Sequence, residues 1–174
     1  MLRLRPFRTV DAKTIITWAK EPKEFYMWSA GLLGEFPVTE EKLLEAVSAR
    51  ENNTKYFPLV SFDEDGPVGF LTIRIPGDDD KEVALGYVII DPKKRSRGYG
   101  KQTLRLSLKF AFELYGAVNV SLDVFDSNIH AYNCYKSIGF KETGKQERFQ
   151  IGEYSWNYIE MNINKEEFRE SKNG

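Results

Sequence analysis

With 174 residues, 41% of them apolar and 29% charged, the chain has the size and balance of a single globular domain with one real core. A formal net charge of −1 supplies no overall field to draw it onto nucleic acid or an anionic membrane, so neither is expected as a partner. One cysteine (Cys134) and one histidine (His130) exclude a disulfide framework and a cysteine or multi-histidine metal centre; with no apolar leader and only strand-sized apolar runs, a cytoplasmic protein is expected.

Leu2 to Phe7 reads as a first strand. Asp11 is placed to cap a helix running to about Lys20, which Pro22 ends. Residues 24 to 34 form an aromatic, glycine-containing connector, and Thr39 opens a second helix with Leu43, Leu44 and Val47 inward. Tyr56 to Phe62 and Val68 to Ile75 are strands joined by a hairpin at Asp63-Glu64-Asp65-Gly66-Pro67. Val83 to Ile90 is apolar on both faces, as a central strand covered on both sides must be. A deeply packed helix follows from Gly100 to Tyr115, then a strand from Val118 to Val124 and a short helix from Asn128 to Ser137 with Gly139 as its cap. Strands over Lys141 to Gln150 and Tyr154 to Ile163 meet at Gly152, and Lys165 to Gly174 reads as a charged, frayed tail.

The segment with the most chemistry runs from Asp91 to Lys101: Asp-Pro-Lys-Lys-Arg-Ser-Arg-Gly-Tyr-Gly-Lys. It leads from the apolar strand straight into a helix, so a row of backbone N–H groups stands at a helix N-terminus, a natural site for a diphosphate. Gly98 and Gly100 let an anion approach the main chain, and Arg95, Arg97 and Lys101 add positive charge. Spacing excludes a P-loop, because Gly100-Lys101 is followed by Gln102, and a dinucleotide fingerprint, because Thr103 stands where a third glycine is needed. What remains is Arg-x-x-Gly-x-Gly, which a basic loop with ordinary capping glycines also satisfies.

A second segment, Asn128-Ile-His-Ala-Tyr-Asn-Cys-Tyr135-Lys-Ser-Ile-Gly139-Phe140, stands one strand further on. Together the two segments resemble the GNAT superfamily of acyl-CoA-dependent N-acyltransferases, and the resemblance extends from Leu2-Arg3-Leu4-Arg5 to the last strand. It implies a single-domain α/β GNAT fold over residues 1–164, with a mixed, mostly antiparallel sheet of about seven strands and flanking helices, followed by the tail at 165–174. Acetyl-CoA would be the acyl donor. Its pantetheine would lie along Val88, Ile89 and Ile90, and its diphosphate in the turn Ser96, Arg97, Gly98, Tyr99, Gly100 and Lys101, with Arg95 just before it. Asn128 matches a position that bonds the pantetheine or simply caps the helix. Tyr135 matches the general acid for the departing thiolate, and packed aromatic is its plainer reading.

Relatives often carry a basic glutamate two residues before a Gly-Tyr pair. Here the pair is Gly86-Tyr87 and the residue is Ala84, so the carboxylate is missing; Glu82, two residues further back on the same side, is the candidate, with Asp123 or a water as substitutes. The acceptor, a small-molecule amine or a peptide N-terminus, would enter a cleft for which Phe25, Tyr26, Trp28, Trp156 and Tyr158 are candidates. The layout looks like the branch containing ribosomal-protein N-terminal acetyltransferases, which also includes enzymes acting on small amines; a homodimer is common in the family. A catalytically quiet acyl-CoA sensor is the alternative.

Overall fold

The computed structural model describes residues 1–49 and 54–171. Seven strands form one sheet in the order β1-β2-β3-β4-β5-β7-β6, with β1 Arg3–Pro6, β2 Tyr56–Asp63, β3 Gly66–Arg74, β4 Glu82–Ile90, β5 Asn119–Phe125, β6 Lys141–Ile151 and β7 Tyr154–Asn164. Every neighbouring pair is antiparallel except β4 with β5, which is parallel. The mixed, mostly antiparallel sheet with flanking helices is therefore the one expected. Among the described residues no helix is long and apolar enough to cross a membrane.

Strand alternation sends side chains to two separate cores. On one face Leu71, Ile73, Leu85, Leu122 and Met161 pack under Leu104 and Leu108 of the long helix α4 (Tyr99–Lys109) and under Phe112 of the π-helical segment Phe110–Tyr115 that continues it. That face also receives Tyr135 from α5 (Ile129–Lys136). On the other face Val60, Phe70 and Ile89 meet α1 (Ala12–Ile15), α2 (Pro22–Ser29) and α3 (Glu40–Ser48) through Ile15, Trp18, Phe25, Trp28 and Leu43. Among the described residues this second core draws nothing from β5, β6 or β7, so the helices cover the β1–β4 half of that face and reach the other half only where Tyr26 meets Tyr154.

The N-terminal helices differ from those expected. The helix predicted from Asp11 to Lys20 is only α1 and one loose turn, and the predicted connector over 24 to 34 contains α2. Pro22 opens that helix rather than closing the one before: it sits in the first turn, where its missing N–H costs nothing, and Phe25, Trp28 and Ser29 then fall on one buried stripe. Asp11 does not cap with its side chain; its carboxylate accepts Arg5 at 2.7 and 2.8 Å and the Arg8 N–H at 2.8 Å. Thr39 does cap α3, accepting from the Lys42 N–H.

The predicted frayed tail is instead ordered through α6 (Lys165–Glu170); residues 172–174 lie outside the described residues. Asn164 and Glu167 each accept the other's backbone N–H, a reciprocal cap, and Phe168 is buried against Phe112 with ring centroids 5.4 Å apart. The charges that suggested disorder line the outside of a helix with one apolar anchor. Phe168→Ala should therefore destabilise the whole domain by about 3–5 kcal/mol in a urea titration, whereas a frayed end would give no change.

Candidate active site

The parallel strands β4 and β5 pair only through Glu82–Asn119, Val83–Val120 and Ala84–Ser121. Both continue, β4 to Ile90 and β5 to Phe125, without pairing again, so a wedge opens between them. Its cause lies on the far side of β4. Pairing with β3 jumps from Thr72–Gly86 to Phe70–Ile89, setting Tyr87 and Val88 against the single residue Leu71. Such a bulge bends its strand and releases one residue from the ladder. Tyr87 takes a φ of 50° to make it, and the Trp28 indole N–H donates to its carbonyl at 2.9 Å, fixing the bulge to α2.

Beyond the wedge the chain turns through Pro92–Lys94 and enters α4. Ser96 (φ 60°) and Gly98 (φ 79°) both lie in the left-handed region, and no side chain caps the helix. The first-turn N–H groups of α4 are thus left for a ligand or water. A Cβ at Gly98 would find only Gln102 Nε2, at 3.8 Å, so the space above that main chain is open. A Cβ at Gly100 would sit 3.8 Å from Ile90 Cγ1 and 3.7 Å from Cys134 Sγ: the end of β4, the start of α4 and the side of α5 converge there.

The cations around this turn divide into two sets. Arg97 and Lys101 are exposed and make no ion pair among the described residues. Arg95 departs from its expected role, because its guanidinium holds Glu24 of α2 and donates to the Ile90 carbonyl at 3.1 Å. Lys94 is tied to Asp63 at 2.6 Å, and Asp63 also accepts the Tyr99 hydroxyl at 3.2 Å. Asp63, read from sequence as a hairpin residue, therefore grips both flanks of the turn. Nothing in the local pattern signals it, since its partners lie 31 and 36 residues away.

On α5, Asn128 accepts the Ala131 N–H at 3.3 Å and so acts as the N-cap. Tyr135 is only 6% exposed and sits edge-on to Phe140, yet its hydroxyl makes no hydrogen bond among the described residues. Because no sealed side-chain oxygen among the described residues lacks a partner, that hydroxyl keeps a path to solvent. Burial, with Cys134 adding to it, raises the phenol's pKa, so it holds its proton at neutral pH. Burial also raises the Cys134 thiol against the lowering influence of Lys101, which leaves it a poor nucleophile.

The structure does not bring Glu82 to this group. It lies at the closed end of the wedge, exposed, accepting from Asn119 Nδ2 at 3.0 Å, and about 16 Å of strand separates it from Tyr87. His130 is exposed on α5. Of the predicted cleft aromatics, Phe25 is wholly buried and Trp28 is bound to the bulge. Trp156 and Tyr158 lie on the helix-free half of the sheet, where Phe125 stacks on Tyr158 at 4.8 Å and meets Trp156 at 5.0 Å. Tyr26 reaches this patch through Tyr154 at 5.8 Å.

Residues 13–140 match the Acetyltransferase (GNAT) family. The chain belongs to this family. It is 30% identical over 95 residues to the spermine/spermidine N(1)-acetyltransferase of Bacillus subtilis, a match covering 52% of this chain and 62% of that protein. It is 33% identical over 90 residues to a peptidyl-lysine N-acetyltransferase of Salmonella typhimurium, covering 52% of this chain and 53% of that one. The chain thus spans less than two thirds of the curated relatives it matches. Its fold superposes on the spermidine N-acetyltransferase of Vibrio cholerae, solved with CoA and spermine, with a TM-score of 0.82 at 19% identity, over 97% of this chain and 98% of the other. These relatives support the family and give no support to the ribosomal-protein branch.

The Asp63 clamp has a pH signature. The Lys94 ammonium lowers the Asp63 pKa against the opposing effect of burial, with the Asp65 N–H and Tyr99 hydroxyl assisting. A carboxyl lowered on folding contributes stability that is complete above its unfolded pKa, about 4, and is lost as pH falls through the folded value. Thermal melts of the wild type should therefore hold steady from pH 7 to about 5 and drop below about 4. Asp63→Asn should start lower and show a shallower acid-side fall; a parallel curve would remove the clamp.

Proposed function

We propose that the protein is an acetyl-CoA-dependent N-acetyltransferase that moves an acetyl group to a primary amine by direct attack. The observation that carries this reading is the wedge between β4 and β5, which runs from an uncapped helix N-terminus at one end to a buried, proton-bearing tyrosine. A diphosphate suits the open main chain at Gly98 and the unpaired Arg97 and Lys101. An extended, amide-bearing arm suits the backbone edge of Val88 to Ile90, which could pair with it as a missing strand would. Lys94, Arg95 and Asn128 contribute by holding the turn and α5 in place rather than by contact.

The chain then supplies three things. The wedge fixes the thioester, so the acceptor's attack becomes effectively unimolecular. The Val88 amide, beside the bulge, would stabilise charge developing on the carbonyl oxygen. Tyr135 donates its proton to the leaving sulfur; burial keeps that proton in place until it is needed. The acceptor class that fits best is the polyamines named for the relatives: the helix-free sheet face offers aromatic rings, which attract alkylammonium groups.

Thiol release measured with spermidine, simple alkylamines and peptides with free N-termini tests the reading. Turnover with a polyamine is expected; CoA binding without thiol release from any of them would make the protein a sensor instead. Gly98→Asn, which tolerates the left-handed backbone while filling the open space, should weaken CoA binding at least 10-fold in calorimetry. Tyr135→Phe should lower kcat by about 10²-fold while CoA affinity holds. Equal rates would take the acid role from Tyr135.

A further inference from the structure

We infer that Asp123 is the group that accepts the proton from the attacking amine. This rests on the transferase reading above. Ala84 leaves the strand without a carboxylate near the bulge, and Glu82 lies at the closed end, held by Asn119. Asp123 stands on β5 two residues beyond Ser121, the last residue paired with β4. Were the pairing to continue, its partner would be Gly86, which has no side chain. No β4 side chain therefore stands opposite Asp123; the Thr72 hydroxyl, 3.0 Å from where a Cβ at Gly86 would be, bounds that space on the β3 side.

Its carboxylate is also uncommitted. Asp63 is held by Lys94, Asp126 by Asn157, Glu24 by Arg95, and Glu160 by Thr143 and Lys145. Asp123 makes no hydrogen bond or ion pair among the described residues. Moreover, it faces Glu160 directly across the β5–β7 ladder. Like charges directly opposite destabilise a sheet, so packing gives no reason for an acid there.

A second observation points into the same wedge from the other side. Leu122 and Val124 face the core that holds Tyr135, so Asp123 faces the opposite, helix-free side. The phenol of Tyr135 thus lies on one face of the sheet and the carboxylate of Asp123 on the other. An amine entering from the Asp123 face attacks the thioester carbon while the sulfur leaves toward Tyr135.

The protons balance as follows. The ammonium gives one proton to Asp123, and its lone pair forms the N–C bond. The adduct's nitrogen loses its second proton to water as the C–S bond breaks and the thiolate takes the Tyr135 proton. Water reprotonates the phenolate and accepts the proton from Asp123, so one proton is released per amide formed. Desolvation, the charge of Glu160 and that of Glu147 raise the Asp123 pKa, while Lys145 and Arg74 oppose them. Tyr158, the remaining titratable neighbour, is held neutral with its own pKa raised. A raised carboxyl lies closer to an ammonium, which shortens the uphill step.

Asp123→Asn keeps the shape and removes the base. With the most strongly basic amine turned over in the thiol-release panel, kcat/KM at pH 7 should fall about 10²-fold. With 2,2,2-trifluoroethylamine, already unprotonated at that pH, the fall should be under about 3-fold, because no proton need be taken before attack. The acid-side limb of the kcat/KM profile should vanish, CoA affinity by calorimetry should hold, and Asp123→Glu should recover part of the rate. Equal losses with both amines, or no loss with either, would overturn the assignment. Absence of thiol release from the wild type with every amine would overturn the transferase reading itself.

Discussion

A parallel pair of strands that stops pairing after three residues organises this molecule. Two central strands normally satisfy one another along their length, because an unpaired backbone group in the interior is expensive. Here β3 stays paired with β4 on both sides of its bulge while β7 keeps its register with β5, so the sheet stays continuous at the base and opens above. The resulting wedge exposes main-chain donors and acceptors without sacrificing either core, since each half of the sheet is held from outside.

The surroundings of the wedge show how that opening is kept from collapsing. Trp28 pins the bulge to α2, Arg95 joins α2 to the last residue of β4, and Asp63 ties the turn to the end of β2. Two distant elements, α2 and β2, thus converge on one short stretch of chain. Lys94 and Asp63 are largely withdrawn from water, so losing either would leave the other's charge in a poor solvent, whereas Arg95 and Glu24 stay partly exposed. Basic residues beside a phosphate turn are often all credited to the ligand; here Lys94 and Arg95 are spent on architecture, while Arg97 and Lys101 remain outside.

Most of the sheet was legible in the sequence because its signals are local. Alternation in β5, the Ile159-Met161-Ile163 face of β7, the Gly-containing hairpins and the doubly apolar β4 each specify a strand without reference to anything distant. The turn at Ser96 to Lys101 was legible for the same reason: glycines with special backbone angles leave a pattern. Three things were not. Pro22 carries the same letter whether it ends one helix or begins the next. The charges of Lys165 to Glu170 conceal the anchor Phe168, whose worth depends on Phe112 more than fifty residues earlier. The commitment of Arg95 to Glu24, and of Asp63 to Lys94, depends on contacts that only the folded chain creates. Composition alone assigns all basic residues the same availability.

The two rims of the sheet carry a consequence of their own. β6 lies outermost, and from Lys141 to Arg148 every residue is exposed, with Lys141, Glu142, Lys145, Glu147 and Arg148 among them. Its register also shifts between Glu142 and Gln146, around Gly144 at φ 89°. At the opposite rim β1 is four residues long and ends in Pro6, which has no N–H to offer. An incoming strand would meet dense charge and a kink on one side, and a short, donor-poor stub on the other. A protein that must hold open a strand-shaped vacancy in its interior has closed both places where a stranger's backbone could add itself from without.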